Sequence, residues 1–231
     1  MTHLTGKERG EYVQDMFTRI AHRYDLMNRL MTAGQDVRWR KQVIQQAKLK
    51  SNARLLDLGA GTGDLAREAI AQQPDVKVVA ADFTLKMMRV GQLSGTLPWS
   101  AADALSLPFA NDTFDAIVSG FLMRNVGDIQ QALKEQLRAL KPGGRIIILD
   151  TTKPKRNLFS PFIWLHMHVV IPLVGGLLSG FKDAYSYLPD STEEFVTAKE
   201  MAVRMAAVGF KKINFETLMF GTIAIHWGEK A

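Results

Sequence analysis

The stretch LLDLGAGTGD, Leu55 to Asp64, decides the fold class of this chain. It starts as a short apolar run, passes through three glycines and leads into the helix-like segment DLAREAIAQQ. Further along, VKVVAAD, FDAIVSG and RIIILD are apolar runs rich in branched residues, and helix-like or turn-rich segments separate them. Buried parallel strands have this pattern. The glycine segment therefore predicts a strand that turns into a helix at a ligand-binding loop.

The alternation of strand and helix patterns predicts an α/β fold with a doubly wound, Rossmann-like sheet of seven mostly parallel strands. Two runs near the end, KKINFETLMFG and TIAIHWGEK, predict an antiparallel C-terminal pair because almost no connection separates them. We expect a single domain over residues 1–231. Apolar residues at helical spacing predict extra N-terminal helices over 1–50, and a helical, lid-like insertion is expected over 155–200, after the fifth strand.

Composition excludes several kinds of chemistry. The 231 residues are 47% hydrophobic and 23% charged, which is typical of a globular domain, and the net charge of +6 permits attraction to anionic lipid or nucleic acid. Because the chain has no cysteine, it has no disulfide, no thiolate metal site and no covalent thiol catalysis. The polar N-terminus favours a cytoplasmic location, since a secretory signal would need an apolar run there.

The charges around the glycine loop indicate the kind of ligand. A dinucleotide-binding loop reads G-x-G-x-x-G, whereas this chain has Gly59, Gly61 and Gly63, with Asp64 at the position of the third glycine. Asp64 and Asp57 would repel a pyrophosphate at close range. S-adenosylmethionine fits better, because it carries an ammonium and a sulfonium group and no phosphate, and glycines let the backbone approach it closely.

Two later carboxylates extend this predicted site. Asp82 ends the next strand, where an acidic residue accepts hydrogen bonds from ribose hydroxyls, and Asp103 follows the third strand, within reach of an adenine amino group. The carboxyl ends of parallel strands meet at one edge of a sheet, so these groups predict a ligand crevice there. Taken singly, a glycine is more often an ordinary turn and an aspartate a helix cap, and Asp64 fits both a cap and a ligand role.

Several linked motifs resemble the class I methyltransferases, and more narrowly the UbiE/MenG family, which C-methylates menaquinone and ubiquinone precursors. YDLMNRLMTAGQDVRWR, from Tyr24, and RALKPGGRIIILDTTKP resemble the two signatures of that family. RNV, AYSYLPDS and GTIAIHWGEK also occur where the family has similar text. Three positions depart from it: Asp36 replaces a histidine, Asp150 replaces a longer acidic residue, and Leu122 begins the segment that usually reads Gly-Leu-Arg-Asn.

The resemblance implies S-adenosylmethionine as cofactor and a lipophilic quinol as substrate, with demethylmenaquinol preferred and a ubiquinone precursor as the alternative. It also implies contacts to the cofactor at Thr62, Ala104 and Ser119, and it adds Phe83 beside Asp82. The predicted cofactor-binding residues are Asp57, Gly59, Gly61, Thr62, Gly63, Asp82, Phe83, Asp103, Ala104 and Ser119.

Three residues are the predicted catalytic groups. A quinol ring carbon becomes nucleophilic as its hydroxyl loses a proton, so the site needs a group that takes the proton or stabilises the anion. Arg124 and Asn125 follow the fourth strand at the same sheet edge, and Tyr24 is a polar candidate for quinol contact. A surface or helix-capping role for Arg124 is an equally weighted alternative. We predict no metal, because His166 and His168 would point to different helix faces.

The apolar stretch from Asn157 to Phe181 raises the question of a membrane span. Two prolines, three glycines and two histidines interrupt it, so a bilayer helix is disfavoured. The stretch is instead predicted to cover the acceptor pocket, and core helices are the alternative. Nearby basic residues predict a peripheral membrane contact. The aromatic and apolar residues expected to face a prenyl tail are Phe159, Phe162, Trp164 and Leu165, the basic residues are Lys153, Lys155 and Arg156, and the further quinol contacts are Asn28, Tyr185 and Tyr187.

Three other functions compete with this one. A nucleic-acid methyltransferase is disfavoured, because the chain has no cysteine to attack a pyrimidine and SGFLMRN lacks the Asn-Pro-Pro-aromatic pattern of exocyclic-amine enzymes. A dehydrogenase is disfavoured by Asp64, and a non-catalytic scaffold that binds the cofactor has low weight. The sequence leaves a homodimer open.

Overall fold

The computed structural model of the protein describes residues 6–153 and 191–231, together with residues 161, 165, 168 and 169. Seven strands and seven helices of these segments carry the fold. The strands are β1 (Arg54–Leu58), β2 (Lys77–Asp82), β3 (Trp99–Ala101), β4 (Phe114–Gly120), β5 (Leu140–Thr151), β6 (Lys211–Leu218) and β7 (Ile223–Glu229). The helices are α1 (Gly6–Ile20), α2 (Tyr24–Met31), α3 (Gln35–Ala47), α4 (Asp64–Gln72), α5 (Leu85–Gln92), α6 (Ile129–Ala139) and α7 (Ala198–Val208).

The strands form one mixed sheet in the order β3-β2-β1-β4-β5-β7-β6. β1 pairs in parallel with both β2 and β4, and β7 runs antiparallel to both β5 and β6. The predicted doubly wound sheet with an antiparallel C-terminal pair is therefore confirmed. The chain reverses its direction of winding between β1 and β4, and the carboxyl ends of these strands are where such sheets bind ligands.

The central strands are apolar because both faces of the sheet are covered. Leu55, Ile117 and Ile147 are completely buried. One face packs against a cluster that includes residues of α3 and α4, and the other packs against a cluster that includes residues of α6 and α7. This burial on both sides explains why the strands read as continuous apolar runs rather than as alternating ones.

The segment LKPGG lies inside the fifth strand rather than before it. Leu140 already pairs with Phe114, and the next pair joins Arg145 to Ala116, so the intervening residues bulge out of the ladder. Gly143 has a φ of +73°, which suits a bulge, and proline has no N–H to donate to a ladder. The strand therefore begins before the turn.

The helices α1 and α2 lie against the carboxyl edge of the sheet. A three-residue 3₁₀ turn, Ala21–Arg23, separates α1 from α2. Met16, Ile20 and Met27 are buried together between the two helices. The predicted insertion over 155–200 falls mostly outside the described residues, and so do the calls on the apolar stretch, His166, Tyr185 and Tyr187.

Replacing Gly91 with alanine is expected to destabilise the fold. A methyl group there would lie 2.5 Å from the carbonyl oxygen of Thr62 and 2.7 Å from the Trp99 ring. We expect the free energy of unfolding to fall by about 1–3 kcal/mol in urea denaturation. Gly10→Ala is the control: a methyl group there meets nothing within 4 Å, so that variant should gain about 0.5–1 kcal/mol. Equal stability of the two variants would contradict this packing account.

Candidate functional site

The loop after β1 requires glycine at two positions. Gly59 and Gly61 have φ values of +67° and +57°, which other residues rarely adopt. A methyl group added at Gly59 would lie 2.9 Å from Leu122 Cδ1, and one at Gly61 would lie 3.2 Å from Met87 Cε. Gly63 begins α4 as its N-cap residue with a φ of +90°. The loop is therefore tightly closed, and it packs against the segment that follows β4.

Asp82 holds this loop from the end of β2. Its Oδ2 accepts the N–H of Gly61 at 2.7 Å, and its Oδ1 accepts the N–H of Thr84 at 2.6 Å. Burial raises the pKa of Asp82, and these backbone bonds oppose that rise. The carboxylate thus links two neighbouring strand ends and fixes the backbone of the glycine loop.

A cavity of about 570 Å³ lies beside the loop, between the carboxyl edge of the sheet and α1. The charged side chains among its described lining residues are Glu11, Asp82 and Asp103, and none of these described residues is Lys, Arg or His. We call it the large cavity. Because every charge on its described walls is negative, it favours a cationic ligand over one that carries phosphates.

A second cavity of about 40 Å³, the small cavity, adjoins the large one beneath the glycine loop. Asp57 lines it from β1, and the Asp57 side chain accepts the N–H of Ala66 at 2.9 Å. Its other oxygen, Oδ1, has no partner among the described residues. Burial, reinforced by the neighbouring Asp82 and Asp64 carboxylates, raises the pKa of Asp57 to about 7.

The predicted cofactor residues divide between these cavities. The large cavity brings together Gly59, Gly61, Asp82, Phe83, Asp103 and Ala104. Asp57 and Thr62 line the small cavity only. Gly63 and Ser119 line neither, and Ser119 is fully buried on β4, where its hydroxyl has no partner in the part of the chain that the structure describes. The acidic residue of the loop, Asp64, contacts Arg40 at 2.5 Å rather than capping the helix with its side chain.

Several residues of the site were not predicted from the sequence. Asp25 accepts a 2.7 Å hydrogen bond from the Thr62 hydroxyl, and burial raises its pKa. It follows Tyr24 directly in the first signature, so the resemblance was a signal that could have found it. α1 supplies Val13, Gln14 and Phe17 to the wall of the large cavity. Their helical spacing was visible, but nothing in it identified the surface that they face.

Tyr24 lies where the two cavities meet and lines both of them. Its ring comes within 3.9 Å of the point where a methyl group on Gly61 would lie. Burial raises the pKa of the phenol above its usual range, while Asn28 and the Arg124 charge oppose the rise. Tyr24 therefore presents a neutral hydroxyl-bearing ring next to the glycine loop.

Arg124 forms a buried ion pair and is neither a surface residue nor a helix cap. Its Nη1 lies 2.7 Å from Asp150 Oδ1, and its side chain is 8% exposed. It does not line the large cavity; it lines a third cavity of about 350 Å³, which adjoins the large one at Val126. Its Nε has no partner among the described residues. Asn125 does line the large cavity and donates to the Phe121 carbonyl at 2.9 Å.

Two kinds of feature are absent from residues 6–153 and 191–231 and from the four described residues between them. Within them, no three acidic or histidine side chains are grouped closely enough to hold a metal ion. His168 lies 3.2 Å from Glu193, and His166 is outside the described residues. No helix in this part of the chain is long and apolar enough to span a bilayer.

Comparison with known proteins gives one family match over nearly the whole chain. The model of the ubiE/COQ5 methyltransferase family matches residues 4–230. Ubiquinone/menaquinone biosynthesis C-methyltransferase UbiE of Desulfotalea psychrophila is 42% identical over 225 residues, which cover 96% of this chain and 92% of the relative. Demethylmenaquinone methyltransferase of Thermus thermophilus is 40% identical over 220 residues, 93% of this chain and 100% of the relative.

Solved structures share the fold at low identity. The [4+2]-cyclase SpnF has a TM-score of 0.69 at 16% identity, over 98% of this chain and 96% of its own. A SAM-dependent methyltransferase from Thermotoga maritima has a TM-score of 0.65 at 19% identity, over 94% of this chain and 99% of its own. Likeness at these identities establishes the architecture and leaves the reaction to the site.

The Asp57→Asn variant is expected to change how stability depends on pH. The folded state raises the pKa of Asp57 from its ordinary 3.8 to about 7, so the folded protein binds more protons than the unfolded chain between these values. Asp57 therefore costs little stability near pH 4, and its cost grows until pH 7. Asparagine can still accept the Ala66 N–H and removes the charge.

Urea denaturation from pH 4 to 8 measures this effect. The stability gained by Asp57→Asn should grow with pH, up to about 4 kcal/mol, and level off above pH 7. A gain that is the same at every pH would show that Asp57 titrates normally.

Proposed function

This chain belongs to the ubiE/COQ5 methyltransferase family, and we propose that it transfers a methyl group from S-adenosylmethionine to a ring carbon of demethylmenaquinol. The relatives named as demethylmenaquinone methyltransferases support this acceptor, and those named for both quinones support a ubiquinone precursor as the alternative. The reaction forms a carbon–carbon bond on the ring, breaks the sulfur–methyl bond and releases one ring proton.

The single observation that carries the proposal is the charge of the large cavity. S-adenosylmethionine supplies an electrophilic methyl group on a sulfonium and also carries an ammonium group. Glu11, Asp82 and Asp103 are acidic, and no described lining residue is basic, so the cavity suits this cation and disfavours a dinucleotide. Positive φ values keep the glycine loop closed. Its backbone lies where a side chain would meet neighbouring residues.

Individual residues have separate tasks in this proposal. Asp82, which the N–H groups of Gly61 and Thr84 hold in place, would accept a hydrogen bond from a ribose hydroxyl. Asp103 is exposed and lines the large cavity, where it would accept a hydrogen bond from the adenine amino group. The loop at Gly59 and Gly61 would contact the amino-acid end, next to the unpartnered oxygen of Asp57.

The proposed position of the acceptor ring is next to the segment that follows β4. Methyl transfer needs a nucleophilic carbon in line with the sulfur–methyl bond, so positioning and charge supply much of the acceleration. The guanidinium of Arg124 would stabilise the quinol as its hydroxyl loses a proton. Asn125 and Tyr24 line the large cavity and would orient the ring next to the donor. The Asp150 carboxylate holds Arg124 in place at 2.7 Å.

A menaquinol precursor carries a long prenyl tail, so we also propose a peripheral contact with the membrane surface. The net charge of +6 supports attraction to anionic lipids. The protein should float with phosphatidylglycerol vesicles in low salt and less so in 0.5 M salt, where charges are screened. Recovery of all the protein in the soluble fraction at low salt would reject this contact.

The test of the reaction uses labelled S-adenosylmethionine with two reduced acceptors. We expect label in the ring of a demethylmenaquinol, and less with a demethoxy-type benzoquinol precursor. Calorimetric titrations with S-adenosylhomocysteine and with NAD accompany it, because binding of NAD alone would support a dehydrogenase instead. Donor binding without methylation of either quinol would leave a non-catalytic scaffold as the better account.

Arg124→Lys tests the role of the guanidinium while it keeps a positive charge beside Asp150. Lysine cannot reproduce the planar fork of arginine, so we expect kcat to fall about 100-fold. Affinity for S-adenosylhomocysteine should stay within about twofold, because Arg124 does not line the large cavity. The control is Arg38→Lys, at an exposed position of α3. Unchanged turnover in the Arg124 variant would remove this residue from the mechanism.

A further inference from the structure

Arg40 of α3 lies between two carboxylates from different parts of the chain. Its Nη1 is 3.0 Å from Asp36 Oδ2 and 2.5 Å from Asp64 Oδ2. The Arg40 side chain is 11% exposed, whereas Asp36 is fully buried and also accepts a 3.1 Å hydrogen bond from the Thr32 hydroxyl. The guanidinium is therefore anchored on the helix side and holds the first residue of α4, directly after the glycine loop.

Arg40 is also the one basic group among the described residues that line the small cavity. The acidic residues that line the same cavity are Asp25, Asp57 and Asp64. Asp25 of α2 accepts a hydrogen bond from the Thr62 hydroxyl, so α2 and α3 both hold the same loop. Three carboxylates crowded at one cavity repel each other, and a single cation among them decides how much negative charge the cavity can carry.

The groups that face Asp57 come from three elements. Asp82 of β2 and Asp64 of α4 raise its pKa, in addition to burial, while the Ala66 N–H of α4 and the Arg40 charge lower it. The same guanidinium opposes the raised pKa of Asp25. Of these groups, Arg40 is the one whose charge a substitution removes without touching the glycine loop itself.

We propose that Arg40, anchored by Asp36, is a positioning residue that fixes Asp64 and the glycine loop and supports the charge of Asp57, so that Asp57 pairs with the ammonium group of the methyl donor. The inference rests on the proposed donor binding and extends it to residues outside the large cavity. It also assigns a role to Asp36. This residue replaces the histidine of the family sequence, and its buried carboxylate is a fixed negative anchor for the guanidinium.

The test is calorimetric titration with S-adenosylhomocysteine, which keeps the ammonium group, from pH 6 to 8.5. A cation prefers the charged form of Asp57, so wild-type affinity should weaken about tenfold between pH 8 and pH 6. Arg40→Met should move the midpoint of this profile upward by on the order of one pH unit. At pH 7 that variant should bind about fivefold more weakly than wild type, and less than twofold more weakly at pH 8.5.

Two matched variants separate charge from other effects. Arg38→Met removes an exposed arginine from the same helix and should leave the profile unchanged. Arg40→Lys keeps the charge and should keep the midpoint within about half a pH unit of wild type. Because Arg40→Met removes the 3.0 Å ion pair of the buried Asp36, that variant can fail to fold. In that case Asp36→Leu combined with Arg40→Met removes both charges, and the same upward shift is expected.

The outcomes are distinguishable. Loss of affinity by the same factor at every pH, or an unshifted midpoint in a folded Arg40 variant, would overturn the role of Arg40 while donor binding stands. A wild-type protein that binds no S-adenosylhomocysteine at any pH would overturn the proposed donor binding itself. A shifted midpoint with normal affinity at pH 8.5 would support the electrostatic role, because a merely structural defect does not titrate.

Discussion

The hydrogen bond from the Gly61 N–H to the Asp82 carboxylate is the contact on which the site depends. It joins the loop after β1 to the end of β2, at 2.7 Å. The loop can take this path only because Gly59 and Gly61 tolerate positive φ and because no side chain at either position meets Leu122 or Met87. The wall of the large cavity, the start of α4 and the position of the small cavity all follow from that closed turn.

Burial of carboxylates at this edge costs stability, and the fold offsets the cost unequally. Asp82 accepts backbone N–H groups and Asp64 pairs with Arg40, whereas one buried oxygen of Asp57 has no partner among the described residues. An unpaired buried acceptor is expensive, so native structures keep few of them. A cationic ligand would complete this arrangement, which makes the unsatisfied oxygen of Asp57 a property of the site rather than a defect of packing.

The sequence predicted the sheet well because a strand that is buried on both faces is a continuous run of apolar residues. Leu55, Ile117 and Ile147 read as core before any partner was known. What sequence could not provide was pairing across distance. Asp64 fitted both a cap and a ligand role from the sequence, which gave no sign of its ion pair with Arg40, 24 residues away in the chain. Helical spacing in α1 likewise showed an apolar face but not that Phe17 would line the large cavity.

The architecture alone does not determine the reaction, since a [4+2]-cyclase shares it. Specificity for an acceptor must come from groups that differ between such proteins, and the proposal made above locates them in the segment after β4. Leu122 packs so closely on the glycine loop that a methyl group at Gly59 would lie 2.9 Å from it. Arg124, two residues on, is locked to Asp150. The glycine loop and the segment after β4 are therefore packed against each other, so a substitution that moved Arg124 would also disturb the loop.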